Sequence, residues 1–172
     1  MSQILGSLRA VNGKGVARIE DRYDTDIKDL WSAITDPERL ARWYGKVEGD
    51  LRQGGEFRLY VEASQWEGVG RIDKCEPPRH LVLTNRQSDE SWQQGEVPYE
   101  EVVEATLAED GEGTILVVEV SALPLAKLPY YGAGWQHNLE TLAAYLAGRE
   151  PEGEERFEEI VPSYLELAAK LG

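Results

Sequence analysis

Cysteine is all but absent from this 172-residue chain, with Cys75 the single example. One cysteine excludes an internal disulfide and fits a reducing compartment, so the expected location is the cytoplasm. Histidine is nearly as scarce. His80 and His137 form no HxxxH pair and there is no paired-cysteine spacing, so no metal site is expected. Apolar runs such as Ile115–Val118 fall far short of the roughly 20 residues that cross a bilayer. The opening MSQILGSLRAVNGKG has neither the apolar core nor the cleavage site of a secretory signal. A G-x-S-x-G elbow and a phosphate loop are also missing. Gly13-x-Gly15 stands before a strand instead of after one, and the glycines at 132 and 134 lack a third partner, so no cofactor is expected. Positive charge is in deficit: 18 Lys and Arg, scattered along the chain, face 32 Asp and Glu for a net charge of −14. That balance excludes nucleic acid and anionic membranes as partners.

What is present is a soluble globular composition, 41% hydrophobic and 29% charged. A chain of this length buries roughly 70% of its unfolded surface on folding. Residues 1–14 read as a loose N-terminal arm. From Gly15 to Asp24, Ala17, Ile19 and Tyr23 alternate with Arg18, Glu20 and Arg22, the pattern of a strand with one wet face. Thr25 or Asp26 can cap a helix through Ile27, Leu30, Trp31 and Ile34, and Asp36-Pro37 opens a second short helix ending near Trp43. At least five strands with short connections follow. Gly54-Gly55, Pro77-Pro78 and Gly111–Gly113 mark turns, and a polar loop at 87–97 carries Trp92. Gly68 and Gly70 inside one strand signal a bulge or a close approach to the backbone.

Pro129 to Gly148 then reads as the longest helix. Proline suits its first turn, glycine its end, and Leu139, Leu142 and Leu146 form a stripe that Trp135 and Tyr131 extend. At 1.5 Å per residue it is about 28 Å long, enough to lie along a sheet of eight-residue strands. The fold class is therefore α+β: a curved antiparallel sheet around a long C-terminal helix, with two short helices after the first strand. The domain spans 15–148. Residues 149–172 are an acidic extension with a short helix around Pro162 to Leu171, whose Tyr164, Leu165 and Ala168 pack on the domain or on a second copy of the chain, which would make a homodimer.

Trp31 with Asp36-Pro37 and Trp43, LRQGGEF at 51–57, CEPPRHLVLTN at 75–85, GEGT at 111–114, and Gly134-Trp135 with Leu142 and Leu146 occur in a specific order. In that order the chain resembles the START-like helix-grip superfamily (SRPBCC), in the branch similar to the carboxy-terminal domain of the heat-shock-protein-90 ATPase activator. The resemblance covers roughly residues 15–147. It implies the helix-grip fold and a choice among ligand carriers, ligand sensors, aromatic cyclases and co-chaperones active in stress responses.

The tryptophans and turn residues just named are expected to hold the short helices on the sheet. A helix across a concave sheet leaves a cavity where side chains are short, and such cavities are the usual ligand sites. Phe57, Leu59, Trp66, Gly70, Arg71, Tyr131, Trp135 and Asn138 are the expected ligand-binding residues, with aromatic rings for an apolar body and polar tips for one or two oxygens. The expected function is non-enzymatic binding of a small, mainly apolar or aromatic ligand in that cavity. The first alternative is a cyclase or lyase with His137, Tyr130 or Glu67 as general acid or base. The second is a co-chaperone-like domain with a chaperone as its partner.

Overall fold

The computed structural model describes residues 4–61, 66–87 and 99–171. The loop tryptophan, Trp92, lies outside them. The strands are β1 (Gly6–Val11), β2 (Lys14–Tyr23), β3 (Lys46–Gly49), β4 (Glu56–Val61), β5 (Trp66–Glu76), β6 (His80–Gln87), β7 (Glu100–Asp110) and β8 (Gly113–Leu123). They form one antiparallel sheet in the order β1-β2-β8-β7-β6-β5-β4-β3. β3 to β8 run as a meander, and β2 closes onto the free edge of β8.

Two short helices follow β2. In α1 (Ile27–Thr35) the Asp26 side chain caps the first turn, accepting from the Asp29 N–H at 2.8 Å. Asp36 then serves two helices: its N–H donates to Ser32 O, and its carboxylate accepts from Glu38 N–H at the start of α2 (Pro37–Trp43). The long helix α3 (Leu128–Ala147) ends where Gly148 takes φ 69°, a left-handed conformation suited to a residue without Cβ. Leu139 and Leu142 are buried against β2, β7 and β8 with Ile19, Leu116, Val118 and Val120. A curved sheet gripping α3 is thus the observed fold.

Three elements differ from the sequence expectation. Six of the first fourteen residues form β1, which pairs with β2 from Gly6↔Ile19 to Val11↔Lys14. Short β3, with one half-buried side chain at Val47, pairs with β4 and carries too little apolar pattern to be read alone. The terminal helix α4 (Glu154–Ala169) is 16 residues long and contains Pro162 instead of starting near it. Pro162 and Glu158 both face solvent, so the carbonyl that the proline leaves without a donor meets water.

The apolar stripe of α4 is used within the chain. Ile160 and Tyr164 are fully buried, with Phe157, Val161 and Leu167 packed against the same core. Gln136 of α3, itself buried, is the polar anchor: its Oε1 accepts from Leu5 N–H at 2.9 Å and from Tyr164 OH at 2.6 Å. Arg156 of α4 adds two bonds to Glu140 of α3, at 2.7 and 2.8 Å. Leu165 and Leu171 remain exposed on α4 and its end.

Candidate functional site

Strand phase decides which side chains face the helices. In β4 and β5 the pairs Phe57↔Gly70, Leu59↔Gly68 and Val61↔Trp66 lie on one face, and buried Phe57 and Leu59 identify it as the inner one. Glu67, Val69 and Arg71 therefore fall on the outer face. The phase then changes at a bulge between Ile72 and Lys74, not at the glycines. Strict alternation from Ile72 would turn Lys74 inward. The extra residue turns Cys75 inward instead, opposite Leu81.

A cavity of about 320 Å³ lies on this inner face. Its sheet wall includes Phe57, Leu59, Ile72, Cys75, Leu83 and Val103. Trp135 and Leu139 of α3 close one side, and Trp31, Ile34, Leu40 and Trp43 of the short helices, with Tyr44, close another. The tryptophans expected to serve only as fastenings are thus also cavity wall. Trp43 does both, since its indole N–H donates to Ala33 O at 2.9 Å while its ring borders the space. Rings continue along this side: Trp43 and Tyr44 centroids are 5.4 Å apart, and Tyr44 and Trp135 centroids 5.9 Å.

One end of the cavity is polar. Glu101, Asn85, Gly70 and Phe57 stand opposite one another across four adjacent strands. Gly70 leaves room in that row: a Cβ there would come within 2.4 Å of the Phe57 ring and 2.5 Å of Asn85 Oδ1. Asn85, 4% exposed, lines the cavity, and Glu101, 5% exposed, is its register partner. Burial pushes the Glu101 carboxyl up to about 7, against the opposing effect of hydrogen bonds from Tyr131 and Asn85. The charge of Glu101 in turn adds to burial in raising the Tyr44 and Tyr131 hydroxyls. Tyr131 also shares a short hydrogen bond with Tyr99. Among the described residues, two buried acceptors have no donor: Asn85 Oδ1 and Glu101 Oε2.

The expected site residues divide as follows. Phe57, Leu59 and Trp135 line the cavity. Gly70 lets the Phe57 ring and Asn85 pack closely over its strand, and Tyr131 feels the Glu101 charge, which adds to burial in raising its hydroxyl. Trp66 faces inward but packs over Gly68 and the Phe57–Leu59–Ile72 cluster, away from the cavity wall. Arg71 is exposed on the outer face and paired with Asp73 at 2.7 Å, because its strand position is opposite in phase to Gly70. Glu67 is exposed on that same face, and Tyr130 is half-exposed. His137 points to the α3–α4 connection, its Nε2 3.0 Å from Glu152 O, and half-buried Asn138 is not among the cavity residues.

Glu101 and Asn85 escaped the sequence reading, although a signal for both was present. Inward Val103, Ala105 and Leu107 have a period of two that, carried back one step, reaches Glu101. Leu81 and Leu83 carried forward reach Asn85.

Among the described residues, no group of three or more His, Cys, Asp or Glu side chains could hold a metal ion, and no helix is long and apolar enough to cross a membrane.

The family model described as Activator of Hsp90 ATPase homolog 1-like protein matches residues 24–147. Among solved structures, CalU16 from Micromonospora echinospora is 31% identical with a TM-score of 0.75, over 95% of this chain and 96% of that one. DynU16, described as a putative protein in the dynemicin biosynthetic locus, is 25% identical with a TM-score of 0.68, over 79% of this chain and 48% of its own. EF2215 from Enterococcus faecalis, a conserved protein of unknown function, shares the fold at 18% identity and a TM-score of 0.72, over 97% of this chain and 92% of its own. No protein of curated function matches the chain.

Proposed function

The chain belongs to the Activator of Hsp90 ATPase homolog 1-like family, with the SRPBCC helix-grip fold, and from that premise we propose that it is a non-enzymatic binder of a small, mainly apolar ligand. The observation that carries this reading is the cavity of about 320 Å³ between α1, α2, α3 and the sheet, walled by Trp31, Trp43, Trp135 and Phe57. Its size is at the lower end of the usual range for ligand sites, and its aromatic wall suits a flat apolar body. The place of DynU16 in a biosynthetic locus accords with a small-molecule ligand.

Cys75 supplies a test, being the only cysteine and part of the cavity wall. The neutral reporter N-phenyl-1-naphthylamine is expected to gain fluorescence saturably with one site per chain, and to slow alkylation of Cys75 as it fills. Linear, non-saturating fluorescence with no change in the alkylation rate would remove the reading.

Glu101 favours a second reading. A buried carboxyl titrating near neutrality beside an apolar cavity suits proton transfer, the chemistry of a cyclase or lyase. On this reading the protein accelerates exchange of the acidic C–H of 2-tetralone with deuterated water, and Glu101→Gln abolishes the acceleration. Exchange at the buffer rate with wild-type protein would exclude it for this class of substrate.

A further inference from the structure

We infer that the ligand carries a basic amine, which enters the cavity at its Asn85 end and binds Asn85 Oδ1 and Glu101 Oε2. The inference rests on the cavity reading above and adds the chemistry of the group that must fill the polar end.

Buried polar groups in folded proteins almost always have partners. Among the described residues, two acceptors from register partners on the same face have none. Asn85 and Glu101 are register partners on the inner face, and Asn85 Oδ1 stands beside Gly70 and the Phe57 ring. An amide oxygen and a carboxylate oxygen only accept, so what both orphans lack once Glu101 is ionised is a donor. A hydroxyl brings one N–H or O–H equivalent and satisfies one of them. An ammonium brings three and satisfies both.

Charge selects the same group. Burying a carboxylate without a cation is costly. The neighbours that act on Glu101 are neutral: Tyr131 from α3, Asn85 from β6, and Tyr44 from the end of α2. Tyr99, ahead of β7, adds a further hydroxyl through Tyr131, and Lys127 stands over the Tyr99 ring, 5.4 Å from its centroid. A ligand ammonium supplies the cation these neighbours do not. The aromatic wall supports it a third way, because Tyr44 and Trp135 line the cavity and aromatic rings of this kind attract cations. An anionic ligand would meet a carboxylate and an amide oxygen, and is excluded.

The experiment uses three probes of one shape, 2-naphthylmethylamine, 2-naphthylmethanol and 2-naphthoate, titrated calorimetrically into the full chain near neutral pH. The amine is expected to bind at least about tenfold tighter than the alcohol, the gain of one charge-assisted hydrogen bond, and the carboxylate not at all. In Glu101→Gln the amine is expected to lose that advantage while the alcohol is unaffected. Because ammonium binding keeps Glu101 ionised, the wild-type protein should also release protons on taking the amine, seen as a dependence of the binding heat on buffer, and Glu101→Gln should not.

Equal affinity of wild-type protein for alcohol and amine would overturn the inference and leave the cavity reading standing. An amine preference that survives Glu101→Gln would do the same. Failure of the naphthyl probes together with the neutral reporter would take both down.

Discussion

Glu101→Gln is expected to make the unliganded protein more stable at neutral and alkaline pH, by an amount that disappears in acid. The folded state holds the Glu101 proton up to about pH 7, whereas an unfolded chain releases it near the ordinary value of 4.5. A raised carboxyl pKa means that the folded state binds the extra proton between those values, so stability falls as pH rises through the window and levels off above it. Each pKa unit is worth about 1.4 kcal/mol, so the gap from 4.5 to about 7 corresponds to about 3 kcal/mol. Glutamine keeps the shape and the capacity to accept from Tyr131 and has no charge to bury. The stability difference between variant and wild type, from urea unfolding at several pH values, should therefore grow by about 3 kcal/mol between about pH 4 and about pH 8. A difference independent of pH would mean that Glu101 is solvated or paired in the folded protein. The measurement is made without ligand and so is independent of the binding experiments, although the same buried carboxylate accounts for both.

Tyr164→Ala is expected to cost about 3–5 kcal/mol, the range for removing a fully buried aromatic side chain. The ring lies against Gly132 of α3, where a Cβ would stand 2.6 Å from the Tyr164 ring, so the helix contact is closer than any other residue type would allow. The hydroxyl also supplies one of the two donors to buried Gln136. Tyr164→Phe should cost only about 1–2 kcal/mol, the effect of leaving that acceptor with one donor. If alanine releases α4 from the folded state, the dependence of stability on urea falls as well, because less surface is left to expose on unfolding. A loss below about 1 kcal/mol would show that α4 rests on the domain without contributing to it.

These effects mark where the sequence was readable and where it was not. Local signals served well wherever one residue has one strong preference. Asp26 and Asp36 at helix starts, Pro129 in the first turn of α3 and Gly148 in a left-handed cap are all visible without a partner. The grip of the sheet on Leu139 and Leu142 followed from spacing. The polar end of the cavity did not, because a glutamate beside another glutamate reads as a wet strand end until its phase is tied to Val103 and Ala105. Burial of Glu101 depends on four strands reaching the same level, which no single strand records. The outward placement of Glu67 and Arg71 was lost for the same reason, as the glycines suggested a bulge that the sheet makes at Ile72–Lys74. Pro162 misled in the other direction. Proline removes one helical hydrogen bond and crowds the carbonyl four residues back, and at this position that carbonyl lies on the solvent face, where water can take the lost bond.

The pairing of β2 with β8 also sets an order of events during synthesis. Arg22 bonds Asp110, 88 residues later, and Tyr23 has Thr114 as its register partner. β2 therefore has no neighbour on that side until β8 has left the ribosome. At about 5–20 residues per second this interval lasts on the order of 5–20 s. Throughout it Val16, Ala17, Ile19 and Tyr23, all buried in the finished protein, have only β1 beside them. The nascent chain thus offers an apolar two-stranded edge for seconds before the meander arrives to cover it, which makes this the period of greatest exposure to wrong pairing.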